Sequence, residues 1–177
     1  MSTNNGLRAQ TNKISKTTAS ATEKYLSFEV NNETYAVEIL DVKEIIAMMH
    51  FTQVPKMPRF VKGVINLRGQ VIPIIDMRLK FELPEADYTD RTTIIIGIID
   101  EDYVGFVVDK TADVLNISDD NMSEPPKFGT SIDTEFLKSM AKTANGVVMI
   151  VDIKKVFTNT ELNALSTMHK THKIEEK

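Results

Sequence analysis

The stretch VINLRGQVIPIIDMRLKF, residues 64–81, decides the fold that this sequence predicts. Two apolar runs flank Arg68 and Gly69, and short apolar runs separated by turn residues are typical of a β-hairpin. An arginine in such a turn is usually only solvated, because connecting segments lie at the protein surface. The turn by itself therefore leaves open whether Arg68 has a further role.

A second hairpin is predicted near the start of the chain. Apolar and polar residues alternate over 26–30, and Asn31 and Asn32 supply a turn before a second alternating run. The same design returns 68 positions later. The matches are Ile94, Ile96 and Ile98 for Leu26, Phe28 and Val30, then Tyr103 for Tyr35, Val107 for Ile39, and Asp109 for Asp41.

The segment after each glycine-containing turn is also repeated. Residues 74–78 (IIDMR) and Phe81 are matched by residues 150–154 (IVDIK) and Phe157. Repetition of this kind predicts two half-chains with one plan, at about 25–85 and about 91–157. Neither half has room for a long βαβ crossover, so the sequence predicts a mainly β fold in which two small units pack on each other.

Short helices complete the predicted fold. Asp133 precedes Phe136, Leu137 and Met140 at helical spacing, which predicts a two-turn helix that ends at Asn145-Gly146. Within residues 158–177, a threonine followed three positions later by a glutamate has the spacing of a capping box. A final helix that docks on the sheet is therefore expected there, and residues 1–24, which are rich in Ser, Thr, Asn and Lys, are expected to form a disordered polar tail.

Composition excludes several classes of function. The 177 residues include no cysteine, which removes disulfide frameworks, thiolate zinc sites and cysteine nucleophiles. The net charge is −4, and because the first 24 residues hold four basic residues against one acidic residue, the body of the chain is the acidic part. An acidic body argues against binding to nucleic-acid phosphates. The longest apolar run, residues 94–99, is too short to span a membrane.

Catalytic and metal-binding patterns are sparse. His169 and His172 have a spacing that could hold a metal weakly, but no carboxylate or cysteine partners accompany them, and a solvated tail is the other reading. Asp76 and Asp152 could form a carboxylate pair. Each, however, precedes a short apolar stub, where an aspartate caps the first free amides of a helix. The sequence therefore predicts no catalytic residues, no cofactor and no metal.

Three methionines also have two readings. Met48, Met49 and Met57 would suit an adaptable recognition surface, and they would equally serve as core filler.

The motifs form an ordered series. The strings YAVEILDVKEII (residues 35–46), GVINLRGQVIPIIDMRLKF (residues 63–81) and VGFVVDKTADVL (residues 104–115) together resemble the CheW-like domain family of bacterial chemotaxis coupling proteins, from about Tyr25 to Phe157. The resemblance implies two small five-stranded, SH3-like β-barrels packed together. It also implies a non-catalytic cytoplasmic adaptor at membrane-associated receptor arrays.

The resemblance further implies partners and contact residues. The partners are the cytoplasmic tip of methyl-accepting chemoreceptors and the regulatory domain of the chemotaxis histidine kinase CheA, and other CheW-like domains are further candidates. Insertion into the membrane and binding of nucleic acid are not implied. The receptor contacts carried over are Ile39, Val42, Glu44, Arg68 and Val107, and the kinase contacts are Val71, Ile72, Val148 and Ile150. Residues with a structural role in turns and caps are Gly63, Asn66, Gly69, Asp76 and Asp152.

On this reading Arg68 lies at the mouth of a groove, where its fixed fork of donors can select a carboxylate. The alternatives are a small acidic β-barrel that binds proteins outside chemotaxis and a single-strand nucleic-acid binder. A barrel of the second kind uses basic grooves and aromatic side chains, which this acidic chain has in small number.

Overall fold

The computed structural model describes residues 21–125 and 135–175, the last seven of these by their backbone alone. Within these residues the strands are β1 (Thr22–Val30), β2 (Glu33–Glu38), β3 (Val42–Ala47), β4 (Val61–Leu67), β5 (Gln70–Asp76), β6 (Thr93–Ile99), β7 (Asp102–Val108), β8 (Lys110–Ser118), β9 (Met122–Ser123), β10 (Leu137–Thr143) and β11 (Gly146–Val151). The helices are α1 (Met77–Lys80) and α2 (Asn159–Glu175), with 3-10 turns at Ile39–Asp41, Asp119–Asn121 and Ile153–Lys155.

The strands form two sheets. The six-stranded sheet has the order β8-β1-β2-β11-β10-β9, and the five-stranded sheet has the order β3-β6-β7-β5-β4. Most neighbours are antiparallel, but β11 runs parallel to β2, and β5 runs parallel to β7. The predicted mainly β fold of two packed units is therefore confirmed.

Each sheet draws strands from both half-chains. The six-stranded sheet joins β1 and β2 to β8–β11, and the five-stranded sheet joins β6 and β7 to β3–β5. The prediction of contiguous units at about 25–85 and about 91–157 is wrong in this respect. Local repetition reveals which hairpins exist, whereas the partner of each hairpin depends on long-range pairing that the repeat does not encode.

The repeat is real, but its offset is 69 residues rather than 68. The turn of the first hairpin is residues 31–32, and the turn of the second is residues 100–101. Because successive side chains of a strand point to opposite faces, a slip of one residue exchanges the faces. Leu26 lies between the sheets, as does its true match Ile95, whereas the predicted match Ile94 lies within the five-stranded sheet.

Three clusters of buried side chains stabilise this arrangement. One lies within the six-stranded sheet and includes Tyr25, Val148 and Ile150, and another lies within the five-stranded sheet and includes Ile74 and Ile94. The third and largest cluster lies between the sheets, and α2 contributes Leu165 and Met168 to it. We call this third cluster the inter-sheet core, and separating the sheets would expose it to solvent.

The termini agree only in part with the sequence predictions. The polar tail was expected to reach residue 24, but β1 begins at Thr22, and residues 1–20 lie outside the described residues. The helix predicted from Asp133 is wrong, since Leu137–Thr143 form β10 between β11 and β9. Asp133 itself lies outside the described residues.

The predicted capping box at the start of α2 is present. The Thr158 amide donates to Glu161 Oε2 at 2.9 Å, and the Glu161 amide donates to Thr158 Oγ1 at 3.2 Å. Two otherwise unpaired amides of the first turn are thereby satisfied. Leu165 and Met168 of α2 are buried in the inter-sheet core, which confirms the predicted docking of this helix.

Candidate protein-binding surface

The β4–β5 turn fixes the position of Arg68. Arg68 and Gly69 have φ values of 51° and 84°, and the Gly69 amide donates to Asn66 Oδ1 at 2.9 Å. Positive φ at successive turn residues matches the right-handed twist of a two-residue hairpin, and glycine adopts it without strain. Asn66 and Gly69 thus set the backbone geometry that carries the arginine outward.

Arg68 forms an ion pair with Glu44 on β3. The Arg68 side chain is 68% exposed and the Glu44 side chain 28% exposed, so the pair lies at the surface. An arginine has five donors in a planar fork, and this pair engages one nitrogen of the guanidinium. The remaining donors face solvent, where they can bind a carboxylate of another protein.

Exposed apolar side chains also occur on β3 and in the segment before it. Ile45 on β3 is 43% exposed, and Leu40 in the turn Ile39–Asp41 is 85% exposed. Ile39 and Val42 are half-buried against the inter-sheet core. The structure therefore brings Arg68 and Glu44 together, whereas Ile39 and Val42 lie on the adjoining segment and pack against the inter-sheet core. Glu44 pairs with Ile96 and Ile45 with Ile95, so the Glu44 and Ile45 side chains point to opposite faces of β3.

Val107 is the fifth predicted receptor contact. It is 4% exposed and packs within the five-stranded sheet with Ile74 and Ile94. The prediction that Val107 lines a groove is wrong, because the 69-residue offset turns its side chain to the inner face of its sheet.

Most of the predicted kinase contacts are also core residues. Ile72, Val148 and Ile150 are 1%, 4% and 0% exposed and pack within their own sheets, so their side chains are not available to a partner. Val71 is half-buried and packs against the inter-sheet core. Successive side chains of a strand point to opposite faces, and Ile72, Val148 and Ile150 point to the buried faces of their strands.

A narrow apolar crevice runs between the two sheets beside Val42. Phe28, Val37 and Val151 line it from the six-stranded sheet, and Ile95 and Phe106 line it from the five-stranded sheet. Asp41 is also among its lining residues. Burial and the nearby Glu38 carboxylate raise the pKa of Asp41 above its usual value, and the opposing effect of Lys154 only partly offsets them.

The remaining turn and cap residues have structural partners. A Cβ atom at Gly63 would lie 2.1 Å from the Thr52 carbonyl oxygen, so only glycine fits there. Asp76 caps α1 by accepting from the Leu79 amide at 3.3 Å, and it also accepts from the Tyr88 hydroxyl at 2.8 Å. Asp152 accepts from the Lys154 amide at 3.0 Å at the start of a 3-10 turn.

The methionines divide between the two readings given above. Met48 and Met57 pack against the cores, whereas Met49 is 39% exposed. Leu40 was not singled out from the sequence. Its exposure depends on a 3-10 turn that interrupts the alternation of β2, and the string EILDV gives no signal for that turn.

Among the described residues, no group of three or more histidine, aspartate and glutamate side chains is arranged to hold a metal ion. The side chains of His169 and His172 lie outside the described part of the chain. None of the helices in the described ranges combines the length and apolar character needed to cross a bilayer.

Comparison with known proteins gives the class to which this fold and surface belong. The sequence model of the CheW-like domain family matches residues 24–161, and the chain therefore belongs to this family. It is 33% identical over 150 residues to the chemotaxis protein CheW of Klebsiella aerogenes, which covers 85% of this chain and 90% of the relative. It is 36% identical over 135 residues to the chemotaxis protein CheW of Bacillus subtilis, covering 76% of this chain and 86% of the relative.

A solved structure agrees in fold. The crystal structure of the scaffolding protein TtCheW from Thermoanaerobacter tengcongensis superposes with a TM-score of 0.73 at 31% identity, covering 80% of this chain and 96% of the other. The predicted family is therefore confirmed by both sequence and fold.

Proposed function

We propose that this protein is a non-catalytic adaptor of bacterial chemotaxis, which couples the cytoplasmic tip of chemoreceptors to the regulatory domain of the histidine kinase CheA. The observation that carries the proposal is the match to the CheW-like domain over residues 24–161. Relatives covered over most of their length are chemotaxis proteins, and the similar solved structure is described as a scaffolding protein. On this proposal the protein works in the cytoplasm, at membrane-associated receptor arrays.

The exposed surface around Arg68 is our candidate for the receptor contact. Receptor tips are helical in this family, and an amphipathic helix binds a protein through an apolar stripe flanked by polar side chains. Leu40 and Ile45 offer exposed apolar contacts on the segment that carries Glu44, and Arg68 offers donors for a carboxylate. Arginine is enriched in protein interfaces, and the core of an interface is apolar.

The kinase contact is a separate proposal. Of the residues considered from the sequence, only Val71 has a side chain that is not fully buried. Edge strands supply unpaired donors and acceptors that a second small β unit can extend. The outer strands are β8 and β9 in the six-stranded sheet and β3 and β4 in the five-stranded sheet, and bulges occur at Val42/Glu44 in the β3–β6 pair and at Leu26/Phe28 in the β1–β8 pair. We propose that kinase binding uses such an edge.

A reconstitution with three components tests the proposal. Purified kinase, a receptor fragment that includes the signalling tip, and this protein are mixed in pairs and together, and complexes are separated by sedimentation. The adaptor function predicts that kinase sediments with receptor only when this protein is present. If the protein binds neither partner, family membership has given the fold without the function, and an interaction role outside chemotaxis becomes the better account.

A further inference from the structure

The chain passes between the two sheets at two places within the described residues. The first crossover, Ile39–Asp41, leads from β2 to β3, and the second crossover, Asp109 alone, leads from β7 to β8. The 69-residue offset of the hairpins relates them, so that Leu40 occupies the position of Asp109. The two crossovers are therefore equivalent positions. They lie at the two ends of the boundary between the sheets, which we call the seam.

The second crossover is held by a network of hydrogen bonds. Asp109 accepts two bonds from Arg78, from Nε at 2.9 Å and from Nη2 at 2.7 Å, and a third from the Asn31 amide at 2.8 Å. The Asp109 amide donates to the Glu29 carbonyl oxygen at 3.0 Å. Arg78 follows the five-stranded sheet, whereas Glu29 and Asn31 belong to the first hairpin in the six-stranded sheet. Asp109 thus connects both sheets.

The ion pair of Arg78 and Asp109 has the geometry of a strong ion pair. Two parallel bonds between a guanidinium and a carboxylate fix orientation as well as distance. The side chains of Arg78 and Asp109 are 19% and 31% exposed, so solvent screens the pair less than it screens a surface pair. Burial raises the pKa of Asp109, but the bonds from Arg78 and the Asn31 amide outweigh burial, and the pKa lies below its usual value.

The first crossover has no equivalent network. Leu40, at the position of Asp109, is 85% exposed. Lys154 follows Asp152 as Arg78 follows Asp76, but among the described residues no ion pair within 4 Å is found for the side chains of Lys154 and Asp41. The nearby ion pair of Glu38 and Lys138 joins two strands of the same sheet, so it does not connect the sheets. Asp41 of this crossover and the adjacent Val42 line the apolar crevice.

We propose that Arg78 and Asp109 form a fixed pivot between the sheets, and that the seam opens and closes at the first crossover, which widens or narrows the crevice beside Val42. Arg78 and Asp109 are then positioning residues, since they act on the crevice through the relative orientation of the sheets. That the motion regulates receptor binding rests on the proposed adaptor function, whereas the motion itself does not.

Distances between pairs of spin labels test the motion directly. The chain has no cysteine, so labels can be placed without background. Lys24 on β1 and Lys43 on β3 are exposed and lie near the first crossover on different sheets, and Glu33 and Arg91 are exposed and lie near the second. We expect a broader distance distribution for the Lys24/Lys43 pair than for the Glu33/Arg91 pair. Equal widths would overturn the proposal.

Substitutions then test whether Arg78 and Asp109 form the pivot. Asp109→Asn should broaden the Glu33/Arg91 distribution, whereas Asp113→Asn, the same change at an exposed position of β8, should leave it unchanged. Arg78→Lys, which keeps the charge and loses the fork, should broaden it as well and covers the case in which Asp109→Asn does not fold. The pair Leu40→Asp with Lys154→Arg should narrow the Lys24/Lys43 distribution by supplying the missing network. Unchanged distributions in all of these variants would contradict the pivot.

Receptor binding is measured separately, by titration of a receptor fragment into each variant. If the distances respond as expected and the affinity for receptor changes by less than about twofold, or about 0.4 kcal/mol, the pivot stands and its role in the proposed function is wrong.

Discussion

Arg68 and Glu44 form an ion pair although they are carried by opposite ends of the five-stranded sheet, the β4–β5 turn and β3. In a flat sheet four strand spacings would separate these strands by about 19 Å, which two side chains cannot bridge. The sheet must therefore curl around its own core, and the ion pair marks where its two edges approach. Complete closure of each sheet into a barrel stays a prediction.

The stability contribution of this ion pair should be small. Because Arg68 is 68% exposed, Arg68→Ala should lower the free energy of unfolding by about 0.2–1 kcal/mol, as for other surface pairs. Urea denaturation followed by far-UV circular dichroism, which does not require a tryptophan, measures this change. A loss of several kcal/mol would mean that the pair is a structural requirement rather than an available binding group.

The two capping aspartates should differ in importance. Asp76 is 3% exposed and accepts two hydrogen bonds, so Asp76→Ala should cost about 2–4 kcal/mol, because it also leaves the Tyr88 hydroxyl without its acceptor. Asp152→Ala removes a single cap bond and should cost about 1 kcal/mol. Melting temperatures of the two variants give the comparison, and the reverse order would contradict the assigned roles.

Two aspartates should influence pH-dependent stability in opposite directions. The pKa of Asp109 is lowered in the folded protein, so its contribution is present above the usual pKa of about 3.9 and is lost as the pH falls through the lower folded value. The pKa of Asp41 is raised, so its contribution is present below the usual pKa and is lost as the pH rises through the higher folded value. At pH 7, Asp109→Asn should therefore destabilise the protein and Asp41→Asn should stabilise it. Unfolding free energies at pH 7 that change in the same direction for both variants would contradict this account.

Two glycines supply a test of the backbone geometry. Gly63→Ala places a Cβ atom 2.1 Å from a backbone oxygen at a φ of +151°, and it should cost more than about 3 kcal/mol. Gly69→Ala meets no atom within 4 Å, so only its φ of +84° opposes it, and a cost of about 1–2 kcal/mol is expected. Gly69→Ala is thus the matched control for the close approach at Gly63, and equal costs would rule out that explanation.

Filling the crevice should lower the stability of the protein. A Cβ atom at Gly97 would lie 2.8 Å from the ring of Phe106 and 3.0 Å from Ile153, so Gly97→Ala forces both side chains aside at a cost of about 1–3 kcal/mol. The cost is read from chemical denaturation. A stabilising effect would show that the crevice has room to spare.

Local features of the fold could be predicted from the sequence, whereas its long-range pairings could not. The Asn31-Asn32 and Arg68-Gly69 turns and the Thr158–Glu161 capping box depend on neighbouring residues, and each lies where it was expected. The exchange of hairpins between sheets depends on pairings such as Ile74 with Gly105, which no local pattern specifies. The error of one residue in the repeat offset shows how weakly Ile-rich strands signal which face is buried.

The residues of the candidate surface that could be predicted from the sequence are those that belong to the motif segments. Arg68 and Glu44 belong to motif segments and lie at the surface together, whereas Val107 was placed on the wrong face and Leu40 was missed. Both errors concern side-chain direction, which depends on strand register and on the 3-10 turn rather than on residue type.

The most direct test of the adaptor account is a calorimetric titration of a receptor signalling-tip fragment into the parent protein, Arg68→Glu and Arg91→Glu. Arg91 is exposed and lies in the loop before β6, so Arg91→Glu controls for the change in charge. The account predicts that the parent and Arg91→Glu bind alike and that Arg68→Glu loses at least about tenfold in affinity, or about 1.4 kcal/mol, while it keeps its circular dichroism spectrum. Equal affinities for all three proteins would contradict the assignment of this surface, and no binding to the parent would contradict the function.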